Sequence, residues 1–364
     1  MKRISSLLAL MIFAAAPLVA QNLSDVTSNL KWREIGPTIM GGRVADIAVV
    51  DANPSTFYVG TATGGVWKTI NHGTTFEALF TDMPTSSIGD ITLFQANPNL
   101  VWVGSGEPQH RQSSPWGNGV YKSTDGGKTW KNMGLTNTHH IARIQIHPSN
   151  PDVVYVAAMG HLWGQNAERG VFRTMDGGQT WEKVLYINEM TGAVDLVMDP
   201  SDPHTLFAAM YQRQRTGYGY NGGGPHSGIY RTLDGGNSWQ EMTEGLPEND
   251  KGRIGLSIYA KDPNVVFASV EARPGIGVYK STDRGLTWEH MSDTNNRPMY
   301  YSQIRVDPSD PERIYMGGSN LFRSSDGGSN FTSDAAAGVH SDHHALWIDP
   351  ANSNHMILGG DGGV

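Results

Sequence analysis

The sequence predicts an all-β chain: a β-propeller of four-stranded blades with Asp-box turns, about seven blades with the last one incomplete. Three observations lead there. A turn motif recurs six times, a second apolar pattern runs in phase with it, and helical signals are almost absent. Self-similarity at a spacing near 50 residues marks a chain built from stacked copies of one supersecondary unit.

The turn motif reads Ser/Thr, any, Asp, any, Gly, any, Thr/Ser, aromatic, and spans residues 69–76, 123–130, 174–181, 232–239, 281–288 and 324–331. Its third positions are Asn71, Asp125, Asp176, Asp234, Asp283 and Asp326. A short carboxylate in a turn accepts hydrogen bonds from the backbone amides that follow it. Gly supplies a positive φ, and the aromatic anchors the turn between blades. These groups read as structural, since the same turn on successive blades places them far apart.

The second pattern is an alternating apolar segment, an Asn/Asp-Pro turn and another apolar segment, as in residues 144–158, 196–210 and 304–318. Pro54, Pro98, Pro151, Pro203, Pro263 and Pro311 mark these turns, and Ser353 takes that place in a seventh copy. Each copy therefore orders as strand A, the proline turn, strand B, a loop, strand C, the box turn and strand D. Period-2 alternation, β-branched and aromatic residues, and Gly/Asn/Asp/Pro punctuation support these strands. Four short antiparallel strands per repeat make a propeller blade.

The ends read differently. Lys2 and Arg3 precede an apolar run from Leu7 to Val19 that closes on Ala20, so residues 1–20 read as a signal peptide, 21–29 as a linker and 30–364 as the propeller. The apolar run has 13 residues, where a bilayer span needs about 20. The expected product is secreted or periplasmic, free or associated with the cell surface. Residues 30–37 read as a strand D without its own A, B and C, able to complete the last blade and cover its open edge. Residues 343–364 supply strands A and B of a seventh blade and stop where strand C should begin. The expectation is a piece of a longer protein, whose remaining C-terminal part is a partner of this one.

Composition narrows the chemistry. The formal charge is -8, with 27 Lys plus Arg against 35 Asp plus Glu, and no basic run is present. Such a surface does not suit a nucleic-acid backbone. With no Cys, disulfides, thiolate metal sites and a cysteine nucleophile are excluded. No cofactor and no metal are expected.

Strand polarity puts the proline and box turns on one face, and the B/C loops and D-to-A connections on the other. The insertions fall on the second face, at residues 107–118, 161–169, 211–228, 295–301 and 338–344. Loops on a rigid scaffold are where binding residues concentrate. Glu107, His110, Arg111 and Trp116 form one candidate cluster, with a carboxylate for proton transfer and an indole for stacking. His161 and Trp163 form a second. Arg213 and Arg215, with Tyr218 and Tyr220, form a third that suits a carboxylate or a glycan, against the alternative of a solvated, loosely ordered lid. His340, Asp342, His343 and His344 are the densest titratable group. Because His343 and His344 are adjacent on a strand, they point to opposite faces and do not readily share one metal ion. The Gly222 to Gly224 run opens no helix and so reads as a loop.

The box repeats, with residues 32–49, 59–69, 103–130, 160–174 and 340–350, resemble the sortilin/Vps10-like propellers, and more closely their bacterial secreted, glycosyl-hydrolase-like members. The resemblance covers about residues 30–364 and implies a loop-face recognition module for peptide, protein or glycan ligands. The repeat is also similar to two-propeller xyloglucan-cleaving glycosidases, in which two Asp residues act as acid and base. The position matching the first of these is Ala62, in the segment from Gly60 to Gly65, and the second would lie in a further propeller. The main rival to a binding module is a glycoside or peptide hydrolase that uses Glu107 with the His340 to His344 group, or that needs the remaining C-terminal part. A third reading is a scaffold for a surface complex.

Overall fold

The computed structural model describes residues 42–364. The expected signal peptide, linker and lone strand of residues 30–37 lie outside the described residues. The described chain folds into seven antiparallel sheets taken in sequence order. Strands A are Val44–Val49, Ile88–Leu93, Ile141–Ile146, Thr191–Met198, Lys251–Ile258, Ile304–Asp307 and His343–Ile348. Strands B, one step outward, are Phe57–Thr61, Val101–Ser105, Val154–Ala158, Leu206–Thr216, Val266–Ala272, Asp310–Met316 and Met356–Gly360. Among the described residues the only helical element is a 3-10 turn at Thr136–Thr138.

Blades 1, 2, 3 and 5 have four strands each. Blade 4 has a fifth, Gly219–Gly222, which pairs with the outer end of its long strand B. The region around Arg213, Arg215, Tyr218 and Tyr220 is thus a hydrogen-bonded hairpin rather than a loose lid. Blade 6 departs from the four-strand expectation. Its strand D shrinks to a single bridge between Arg323 and Thr332, because the residues after Thr332 are Ser, Asp, Ala and Gly rather than alternating β-branched ones. Blade 7 has two strands.

Adjacent blades pack through a repeated fit. A Cβ on Gly60 of blade 1 would lie 2.7 Å from Ile88 of blade 2, and one on Gly104 of blade 2 would lie 2.3 Å from Ile141 of blade 3. The same fit joins the seventh sheet to the first, where a Cβ on Gly359 would lie 2.5 Å from Val44. Val44, Ile47, Val59, Ala345 and Ile357 form one core cluster across that junction, and Trp347 donates to the Asp51 carboxylate at 3.2 Å. The seven sheets close into a ring.

The box turns are self-contained. In blade 2, the Thr129 amide and the Ser123 hydroxyl donate to Asp125 Oδ1 at 2.9 and 2.8 Å, while the Thr129 hydroxyl reaches Oδ2 at 2.6 Å. The side-chain bond from Thr129, then the backbone bond from Thr129, holds the Asp125 carboxyl down at about 2. The pattern repeats at Asp176, Asp234, Asp283 and Asp326. These carboxylates are occupied by their own turns.

The axis is held by charge. Arg143, on strand A of blade 3, donates to Asp90 at 2.9 Å and Asp195 at 3.2 Å and lies 3.7 Å from Asp46. Asp46, Asp90 and Asp195 in turn accept from the strand A amides of Ile91, Ile144 and Leu256 on other blades, at 3.3, 2.8 and 2.9 Å. Each carboxylate therefore serves both the ion cluster and an inter-blade hydrogen bond. Toward the turn face the axis widens into a cavity of about 290 Å³ bordered by Asp46, Asp90, Arg143, Gln145 and Arg305.

Candidate functional site on the loop face

The B/C loop of blade 2 is wound tightly onto its blade. Gly106, at φ +87, sits where a Cβ would fall 1.8 Å from the His139 carbonyl, so only glycine lets the chain turn there. Glu107, immediately after it, is completely buried. Its amide donates to the Ser87 hydroxyl at 3.0 Å, its carbonyl accepts from His140 Nδ1 at 2.7 Å, and both carboxylate oxygens are taken by the Arg43 guanidinium. Burial raises the Glu107 carboxyl above its usual range against the opposing pull of Arg43.

The cluster expected of Glu107, His110, Arg111 and Trp116 is divided by the structure among three places. Arg111 leaves the loop and donates to the Tyr300 hydroxyl at 3.2 Å. Its guanidinium lies 5.4 Å from the Tyr300 ring, and those of Arg297 and Arg43 lie at 4.9 and 6.0 Å. Beside it Tyr301 donates to Asp342 and stacks on His344 at 5.3 Å, and His344 Nε2 lies 3.0 Å from Asp361. Glu107, Arg111, Asp342 and His344 are thus neighbours in one polar cluster assembled from blades 1, 2, 6 and 7. His343 is buried in its own strand and His340 is exposed, its Nδ1 2.7 Å from the Ser341 carbonyl. Among the described residues no group of three His, Asp or Glu is placed to hold a metal ion.

His110 belongs to the second place. Its Nδ1 lies 2.9 Å from the Tyr211 hydroxyl and its ring meets Tyr220 edge-on at 5.0 Å. Burial, then the charges of Arg213, Arg215 and Arg253, push the imidazole down to about 2, so it stays neutral.

Trp116 belongs to the third. The indole is 64% exposed and lies stacked over His139 at 6.0 Å, which stacks in turn on His161 at 3.6 Å. His161 Nε2 is 3.0 Å from the Asn137 amide oxygen. Trp163, 48% exposed, comes from the same blade 3 loop as His161, and Tyr218, 96% exposed, tips the blade 4 hairpin. Burial, then the neighbouring His161, lowers the His139 imidazole to about 4.

Sequence reasoning did not single out Arg43, His139, His140, Arg169, Arg253, Tyr300, Tyr301 or Asp361. His139 and His140 stand in a D-to-A connection on the same face as the loops, so weighting those connections equally would have found them. Arg43 and Arg253 carry no local signal, because their partners are 64 and 145 residues away.

A family profile described as Sortilin, neurotensin receptor 3 (Sortilin-Vps10) matches residues 118–271. The chain is an Asp-box β-propeller, and over that stretch it is similar to the sortilin/Vps10 family. Among curated proteins this propeller is similar to a probable oligoxyloglucan-reducing end-specific xyloglucanase of Neosartorya fischeri, 26% identical over 246 residues that cover 63% of this chain and 27% of that one. Among solved structures it superimposes on the GH74 xyloglucanase from Xanthomonas campestris with a TM-score of 0.66 at 18% identity, over 92% of this chain and 52% of that one. It also superimposes on YCF48 from Cyanidioschyzon merolae, with a TM-score of 0.58 at 15% identity, over 90% and 96% of the two chains. The Asp-box propeller spans about a third of the length of the curated relatives it matches. Among its described residues no helix is long and apolar enough to cross a membrane.

Proposed function

We propose that the propeller recognises carbohydrate on its loop face, with the stack of Trp116, His139 and His161 as the platform for a sugar ring. The observation that carries this reading is the 64% exposure of a Trp ring whose other face is already backed by two parallel imidazoles. A flat, pre-ordered apolar surface beside hydrogen-bonding groups suits a pyranose, whose C–H face is apolar and whose rim is polar. Support comes also from the relatives, which are named as xyloglucanases. Of the peptide, protein and glycan ligands a loop face of this kind suits, the glycan has this specific surface in its favour.

Catalysis by these residues has less support. A glycosidase needs two positioned carboxyl groups. The residue matching the xyloglucanase acid is the buried Ala62, and the raised carboxyl of Glu107 has both oxygens engaged by Arg43.

Titration calorimetry with xyloglucan oligosaccharides is the test. Binding is expected in the unaltered protein, and Trp116→Ala is expected to weaken it about tenfold or more, the loss of roughly 1.5 kcal/mol of stacking. Undiminished affinity in the folded variant would remove the platform from the proposal.

The stacked imidazoles also predict a pH response. His139 has its pKa lowered in the folded state to about 4, whereas in the unfolded chain it titrates near 6.5. Between these values the unfolded chain binds more protons, so the stabilisation is full above pH 6.5 and is lost as pH falls toward 4. Thermal midpoints measured across this window should fall less steeply in His139→Phe. Parallel curves would assign the acid sensitivity elsewhere.

A further inference from the structure

On the same face four arginines converge with no carboxylate bound among them. Arg169 ends the blade 3 loop, Arg213 and Arg215 lie on strand B of blade 4, and Arg253 lies on strand A of blade 5. Arg169, Arg213 and Arg253 are 0%, 1% and 4% exposed. Their hydrogen bonds go largely to carbonyl oxygens. Arg213 and Arg253 both point at the Pro108 carbonyl, at 3.4 and 3.3 Å, Arg215 donates to that of His110 at 3.1 Å, and Arg169 to that of His161 at 3.2 Å.

None of the nearby acids forms an ion pair with these arginines. Glu107 is held by Arg43 and Asp195 by Arg143, Glu271 accepts from the Arg253 backbone amide at 2.9 Å, and Glu189 acts on Arg169 only from a distance. Nε and Nη2 of Arg213, Nη1 of Arg169, Nε of Arg215 and Nε2 of His110 have no hydrogen-bond partner among the described residues. The amide oxygens of Gln109 and Gln212 are unpartnered too, but neither carries charge. Burial pushes Arg213 down to about 9, which reflects the same lack of a counter-charge. Buried cations are ordinarily paired, because an unpaired one loses its hydration with nothing in return.

We propose that this cluster is an oxyanion site that takes the carboxylate of an acidic sugar unit. Guanidinium forks match the two oxygens of a carboxylate, and a phosphate offers the same oxygen geometry. The approach from solvent runs past Arg215 and Tyr220, whose ring lies 5.0 Å from the Arg215 guanidinium and is 52% exposed. The sugar part of the inference rests on the glycan reading; the anion site stands on the arginines alone.

The test is the thermal midpoint of the full chain in a chloride buffer, titrated with sodium glucuronate and separately with inorganic phosphate. Sodium chloride at matched ionic strength is the control. A saturable rise with glucuronate is expected, about 5 °C at a hundredfold excess over Kd. Arg213→Met, checked for folding by circular dichroism, is expected to abolish the rise while leaving the unliganded midpoint unchanged or higher. Arg215→Gln replaces it if that variant does not fold. No rise beyond the chloride control, or an equal rise in the variant, would overturn the site. A rise with phosphate alone would overturn the acidic-sugar assignment. A Trp116→Ala protein that loses xyloglucan binding yet keeps its glucuronate response would separate the two sites.

Discussion

Arg143→Met is expected to destabilise the propeller by about 3–5 kcal/mol, the range for removing one partner from a buried ion cluster. The reason is what remains. Asp46, Asp90 and Asp195 converge on one guanidinium at the axis, and without it three carboxylates face each other with only the more distant Arg305 to offset them. Burial already lifts the Asp90 carboxyl well above its usual range, with Arg143 opposing. Burial acts upward on Asp195 too, but Arg143 and Arg305 outweigh it and hold that group below its usual value. In the variant the unpaired carboxyls titrate at higher pH than in the unfolded chain, so the folded form binds more protons and the deficit shrinks as pH falls. Urea unfolding at pH 8 and pH 5 measures both effects. A deficit under about 1 kcal/mol at pH 8, or one that grows toward pH 5, would show that the cluster does not tie the blades together.

Glu107→Leu is the second large expected effect, a loss of about 2–4 kcal/mol, below the full buried-pair range because the Arg43 side chain keeps 15% of its exposure. The variant leaves Arg43 with a lost partner in a mostly dry setting. Arg43→Met combined with Glu107→Leu removes both charges and is expected to recover at least half of that loss, since an apolar pair of similar volume can replace a buried ion pair at little cost. Unfolding midpoints of the two single variants and the double variant complete the cycle. Full additivity would mean that the pair is not coupled.

The candidate site was partly legible. The exposed Trp116, the B/C loop face and the Arg213–Arg215 pair follow from strand polarity and residue type, because alternation along a strand and the position of short turns are local properties. The division of the Glu107 loop among three neighbours was not. Its side chains choose among partners contributed by blades 1, 3, 4 and 6, and nothing in residues 107–118 encodes which of these come within reach. His110 illustrates this: beside Glu107 in sequence it suggests an acid–base pair, yet its ring ends between Tyr211 and Tyr220, a hundred residues away along the chain.

By itself the sequence determined the blade, its turn chemistry and the face that carries the insertions, since each depends on hydrogen bonds and alternation within about 50 residues. Only the tertiary structure decided that seven sheets close through Gly359 and Val44, that Arg143 gathers carboxylates from three blades, and that four arginines share one dry place without a counter-charge. Those outcomes depend on side chains from distant repeats meeting around one axis. Their energies come from burial and Coulomb interaction at contact distance, which a linear pattern does not carry.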